Sequence, residues 1–182
     1  MTHPTQTVMM PNDMPLKVLA HRAKAHDFGT WEAEAIRAIS SELLSLTVGG
    51  RDAVVYDVGA EEGEFSALWG HMVGPGNVHL FEPTPSVWPN IRATWEANHS
   101  GRLPGGMWAG FVGASMRGPG VISSRWPECS DGNLQNDSRF SVVTERPDIP
   151  CITIDAYMNA FAPPDLVTID AYANACAPPD LI

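Results

Sequence analysis

Asp57, Gly59 and Gly63 follow directly on an apolar, β-branched run, Val54-Val55-Tyr56. Glycine lets a backbone approach a ligand closely and adopt conformations closed to other residues. Glu82 ends a second apolar run, Val78-His79-Leu80-Phe81. A carboxylate at the end of a second strand can accept hydrogen bonds from both hydroxyls of a ribose. Two ligands suit this pattern, a dinucleotide and S-adenosylmethionine. The dinucleotide fingerprint GxGxxG is not met, since only Gly59-x-x-x-Gly63 is present. Glu61, Glu62 and Glu64 would stand where a pyrophosphate approaches a helix N-terminus. That terminus favours an anion, and three carboxylates oppose one. The sulfonium and amino groups of S-adenosylmethionine are cationic, and an acidic turn suits them.

The elements that must hold these residues read as an α/β unit. Val54 to Tyr56 is a buried strand. Beyond Gly63, Phe65, Leu68, Trp69 and Met72 recur at helical spacing, and Gly74-Pro75-Gly76 ends the helix. Val78 to Phe81 is the second strand. Ser86 can cap a helix carrying Val87, Trp88, Ile91 and Trp95. Met107 to Val112 reads as a third strand, ending in Gly113-Ala114-Ser115; in this fold class that following segment often lies along an adenine, and Ala114 is small enough to do so. Upstream, Thr30 is a plausible cap for a helix with Ile36, Ile39, Leu43 and Leu46 on one face. Residues 123–148 are polar and rich in turn formers, either a substrate-facing loop or a passive surface one.

Several of these blocks resemble the FkbM-type S-adenosylmethionine-dependent methyltransferases. They are DVGAEEG (57–63), LFEPTPSVWPNIRATWEAN (80–98), GTWEAE (29–34), ITIDAY (152–157) and PPDLVTID (163–170). The resemblance covers residues 27–182. It implies a Rossmann-like class I methyltransferase fold, three-layer α/β/α around a mostly parallel sheet. It implies S-adenosyl-L-methionine as cofactor, and O-methylation of a sugar or secondary-metabolite hydroxyl. The cofactor contacts expected on this basis are Asp57, Gly59, Ala60, Glu61 and Gly63 in the turn, with Phe81, Glu82 and Pro83 after the second strand. Ala114 and Glu32 complete the set. Glu32 has an alternative reading, a dipole-favoured acid in a first helical turn. Asp170 is the candidate base by position. The chain departs from the family at Glu61, where Asn is usual, and after Asp170, where Ala171-Tyr172-Ala173 replaces Val-Glu-Gly.

The last thirty residues are a tandem repeat: Thr153–Val167 is followed by Thr168–Ile182, with only Met158/Ala173, Phe161/Cys176 and Val167/Ile182 differing. Each copy reads as a short strand, a brief helix and a Pro-Pro-Asp turn into the next strand. If the first copy is in family register, Asp165 to Ile169 is the fourth strand and Asp170 stands at its cofactor-facing end. If the second is, that strand only begins at Leu181. Either way the sheet is expected to be incomplete at its C-terminal side. An exposed edge there invites a homodimer.

Composition narrows the classes. The length suits one domain, read as a tail and short helix over 1–26 and the cofactor-binding domain over 27–182. Within the first part, 1–15 reads as a loose tail and 16–26 as a short helix with a solvated basic face of Lys17, Arg22 and Lys24. A net charge of −10 and no basic patch argue against nucleic acid. No stretch is apolar for long enough to span a bilayer, and no signal peptide is evident. Cys129, Cys151 and Cys176 are odd in number without CxxC, which fits a reducing, cytoplasmic setting. The six His lack metal-ligand spacing. The expected partner is a small-molecule or glycan acceptor. Two alternatives stand beside a methyltransferase: a non-catalytic remnant of the same fold, and a nicotinamide-dependent Rossmann oxidoreductase.

Overall fold

The computed structural model of the chain describes residues 3–48, 50–118, 120, 122–123, 125–127 and 149–169. At its centre is a four-stranded sheet in the order β5-β4-β3-β8, comprising β5 (Gly106–Trp108), β4 (Val78–Phe81), β3 (Val55–Val58) and β8 (Leu166–Ile169). All three pairings are parallel. Val58 is opposite both Phe81 and Ile169, and Phe81 is opposite Trp108. The carboxyl ends therefore line up along one edge. In chain order the strands run third, second, first, fourth. The first and fourth are neighbours across a topological switch point, where open α/β sheets place ligands.

β3 and β4 are buried at every position, as expected of parallel strands covered on both faces. Val55, Leu80 and Met107 face one side, with Ile36 and Leu43 of α2 (Ala33–Val48), Leu68 and Trp69 of α3 (Glu64–Val73), and Ile91 and Trp95 of α4 (Trp88–His99). Tyr56, Val58, Phe81 and Trp108 face the other, against Tyr157 of α5 (Ile154–Met158). Thr153 caps α5 by accepting from Ala156 N at 3.1 Å. Asp165 anchors the entry to β8, accepting from Val54 N at 3.0 Å and pairing with Arg51. The first repeat copy thus supplies α5 and the start of β8, which Thr168 and Ile169 of the second copy complete; Ala171-Tyr172-Ala173 and the other residues from 170 on lie outside the described residues. Among the described residues β8 is an edge strand, and no helix is long and apolar enough to cross a membrane.

Several expectations are corrected. From residue 3 on, 1–15 is not a loose tail, and 16–26 is not all helix: β1 (Thr5–Met9) and β2 (Pro15–Leu19) form an antiparallel hairpin leading into α1 (Ala20–Ala25). β1 is mostly exposed and polar, so its sequence hides the strand; Met10, Leu16 and Val18 carry the burial, inside the main core. Met107 to Val112 is not one strand. β5 ends at Trp108, and β6 (Phe111–Val112) pairs with β7 (Cys151–Ile152) in a separate sheet. The break falls at Gly110, where a Cβ would meet the Pro150 carbonyl oxygen at 2.5 Å. Thr30 does not start α2; its hydroxyl turns back to Asp27, and the helix begins at Ala33. Nor does Ser86 cap α4, which begins at Trp88 after a 3-10 turn over Pro85–Val87.

Candidate functional site

The Gly59–Gly63 turn connects β3 to α3 and folds back on the end of β4. Gly59 and Gly63 have φ of 84° and 82°, and Glu61 between them has φ of 50°. At Gly63 a Cβ would also lie 3.2 Å from the Ile91 Cα. Gly59 N and Ala60 N both donate to the Phe81 carbonyl, at 2.9 and 3.1 Å. Glu61 N donates to Glu82 Oε2 at 3.1 Å. Gly63 N donates to the Ala60 carbonyl at 2.7 Å. The amides of Gly59, Ala60, Glu61 and Gly63 are therefore engaged within the protein.

Glu82 continues β4, its own N–H donating to the Trp108 carbonyl at 3.1 Å. Its Oε1 accepts from Thr84 N at 2.7 Å. The residue is 6 % exposed. Burial pushes its carboxyl up to about 7, against the opposing pull of the Thr84 and Glu61 donors. A carboxylate oxygen has two lone pairs. The two backbone bonds and a side-chain hydrogen bond from Thr84 leave Glu82 with part of its acceptor capacity at the sheet edge.

The acidic turn is not an open anionic surface, and this revises the electrostatic expectation. Arg22, on α1, is 3 % exposed rather than solvated. Its Nε donates to Glu64 Oε1 at 2.6 Å, and its Nη2 to Glu61 Oε2 at 3.0 Å. Glu62 is 1 % exposed and pairs with His21 Nε2 at 2.7 Å. Burial is also the main reason that the Glu64 carboxyl rises to about 7, although Arg22 pulls it down. Sequence reasoning missed Arg22 and His21. The only local signal was a basic residue in a short helix, 39 and 42 positions from its partners.

The other candidates are distributed as follows. Asp57 is buried, accepting from the Ser66 hydroxyl and from Thr168 Oγ1 at 2.7 Å. It ties β3 to α3 and β8. The Phe81 side chain packs between Tyr56 and Tyr157, with ring centroids at 5.4 and 4.5 Å; its carbonyl serves the turn. Pro83 follows Glu82 and is half-buried. Glu32 is exposed with φ of 47°, and its carbonyl accepts from Ile36 N at the start of α2. Its neighbour Trp31 stacks on Phe65, in the first turn of α3, at 4.8 Å. Ala114 is exposed and follows β6, so it does not succeed the third strand of the main sheet; Ala109 and Gly110 do. Asp170 lies outside the described residues.

No family model, curated protein or solved structure matches the chain. The site is therefore read from its own geometry. An open depression of about 570 Å³ lies between β1 and residues 23–29 and includes none of the candidate residues. The carboxyl edge of the sheet, with the Gly59–Gly63 turn and Glu82, is where open α/β sheets in general place ligands.

Proposed function

We propose that the chain binds S-adenosylmethionine at the Gly59–Gly63 turn, in a Rossmann-like class I methyltransferase fold, and transfers its methyl group to a hydroxyl of a sugar or secondary metabolite. The observation that carries this reading is the use of the turn's amides. Gly59, Ala60 and Glu61 donate to the end of β4, and Gly63 to Ala60. A dinucleotide pyrophosphate draws on the amides of a glycine turn as well as those of the helix behind it, and here those of the turn are in use. A ligand recognised through its ribose and its cationic end does not draw on them. Glu82 stands where it can accept from ribose hydroxyls.

S-adenosylmethionine supplies an activated methyl on a sulfonium whose leaving group is neutral. What the protein adds is mainly position. An alcohol acceptor gains from a base near the methyl, and Asp170, directly after β8, is the candidate by chain position. The FkbM-like blocks support the same reading, and an odd number of cysteines without CxxC favours a cytoplasmic setting. Calorimetric titration with S-adenosylhomocysteine tests it. Saturable binding is expected; no binding at millimolar ligand rejects the cofactor. Thermal stabilisation by a nicotinamide dinucleotide and not by S-adenosylhomocysteine reverses the assignment in favour of an oxidoreductase. Binding without turnover on any hydroxyl acceptor favours the non-catalytic form, for which the missing Val-Glu-Gly after Asp170 is the motivation.

A further inference from the structure

We infer that Arg22 is a positioning residue for the ligand turn, acting through Glu61 on Glu82; the ligand part of this claim rests on the reading above. Arg22 reaches the turn from outside the α/β unit, on the six-residue α1 that follows the hairpin. Its three nitrogens hydrogen-bond two carboxylates, and Glu62 Oε2 lies 3.9 Å from Nε. Nε takes Glu64 at 2.6 Å, while Nη2 and Nη1 take the two oxygens of Glu61 at 3.0 and 3.4 Å. The Glu64 contact has an evident structural reason, because that carboxylate is 1 % exposed and a buried charge needs a partner.

Glu61 is different. Its side chain is 40 % exposed and could be solvated without a guanidinium. What sets it apart is φ of 50°, which a residue other than Gly, Asn or Asp holds only where its surroundings impose it. Beside the Gly63 N–Ala60 carbonyl bond that closes the turn around it, two grips hold residue 61 itself. Glu82 Oε2 takes the Glu61 N–H at 3.1 Å, and the Arg22 fork takes its carboxylate. Release of the fork lets residue 61 relax toward negative φ. Its N–H then turns away from Glu82, which loses one of the two backbone donors orienting it. The N-terminal hairpin and α1 thereby become part of the ligand site without touching the ligand.

Arg22→Lys keeps a charge for Glu64 but cannot fork onto Glu61 at the same time. Two quantities are read: amide hydrogen exchange over residues 57–66 in the free protein, and the affinity for S-adenosylhomocysteine. Arg22→Lys is expected to speed exchange at the turn and weaken binding, each by at least about tenfold, with protection of β1 and β2 unchanged. Glu61→Gly in the same background is expected to restore the turn's protection, since glycine holds a positive φ unaided. A purely structural role through Glu64 would be blind to glycine at 61. Unchanged exchange in Arg22→Lys, or no recovery with Glu61→Gly, overturns the inference. Should Arg22→Lys not fold, Glu61→Ala against Glu61→Gly in the parent decides it: alanine is expected to lose turn protection and glycine to keep it, and equal protection overturns the claim. If the parent does not bind S-adenosylhomocysteine, the proposed function falls while turn exchange still decides the role of Arg22.

Discussion

Glu82 holds the protein's own backbone with the same oxygens it would offer a ribose. Glu82→Ala leaves Glu61 N and Thr84 N without their acceptor. The expected cost is about 1–3 kcal/mol of stability, and at least about tenfold in affinity for S-adenosylhomocysteine. Glu62→Ala, by contrast, strips His21 of a buried partner and is expected to lower stability with little change in affinity. Calorimetry on the two variants separates the roles; parental affinity in Glu82→Ala ends the ribose assignment. The same carboxyls shape the pH response. Glu64 and Glu82 rise from 4.5 to about 7 on folding, chiefly through burial. Their contribution is fully present below pH 4.5 and is lost as pH rises through 7. His79 runs the other way, lowered from 6.5 to about 4 by burial, so its contribution is present above 6.5 and lost as pH falls toward 4. Two carboxyls outweigh one imidazole, so stability is expected to rise as pH falls from 7.5 and to keep rising below 6.5, where His79 takes back part of the gain. Urea denaturation across this range checks the sign, and Glu82→Gln should flatten the upper limb.

At the scale of elements, α5 is seated by a vacancy in β5. Gly106 has no Cβ, and one placed there would lie 2.2 Å from the Tyr157 hydroxyl and 2.8 Å from His79 Nδ1. Tyr157 occupies that space, bonded to His79 Nδ1 at 2.9 Å and stacked with Phe161 at 4.9 Å. Gly106→Ala is thus an overpacking change, expected to cost about 1–3 kcal/mol. Tyr157→Phe in the same chain removes the closest clash and should recover part of the loss. Chemical denaturation of the two single variants and the double measures this coupling; strictly additive losses would show that α5 is not seated through that contact.

For the whole molecule, β8 presents its unpaired edge among the described residues, with Val167 37 % and Ile169 65 % exposed. Both lie on the face of Tyr56 and Val58, their register partners. An apolar edge of this kind favours pairing with a second copy, and a net charge of −10 opposes it. Self-association is therefore expected to strengthen with salt, which screens the repulsion, and to be abolished by Ile169→Lys. Sedimentation equilibrium at low and high salt tests this; a parent that stays monomeric in both conditions removes the edge as an interface.

Some of this was legible in the residues themselves. The strand Val78–Phe81 and the helix ended by Gly74-Pro75-Gly76 follow from hydrophobic period and turn chemistry, which are local free energies. The Gly59 and Gly63 positions, both at positive φ, also belong to that class. So does the fourth strand, read as Asp165 to Ile169 and found at Leu166–Ile169, where the Pro-Pro turn and an apolar run agree. Only tertiary structure decided the rest. A run such as Met107 to Val112 looks continuous until the Pro150 carbonyl occupies the space beside Gly110. The hairpin at the N-terminus is mostly polar on β1 and becomes a strand because β2 carries it onto the core. The pairing of Arg22 with Glu61 and Glu64 leaves no pattern in sequence, since charge partners some forty residues apart are chosen by which surfaces the core brings together.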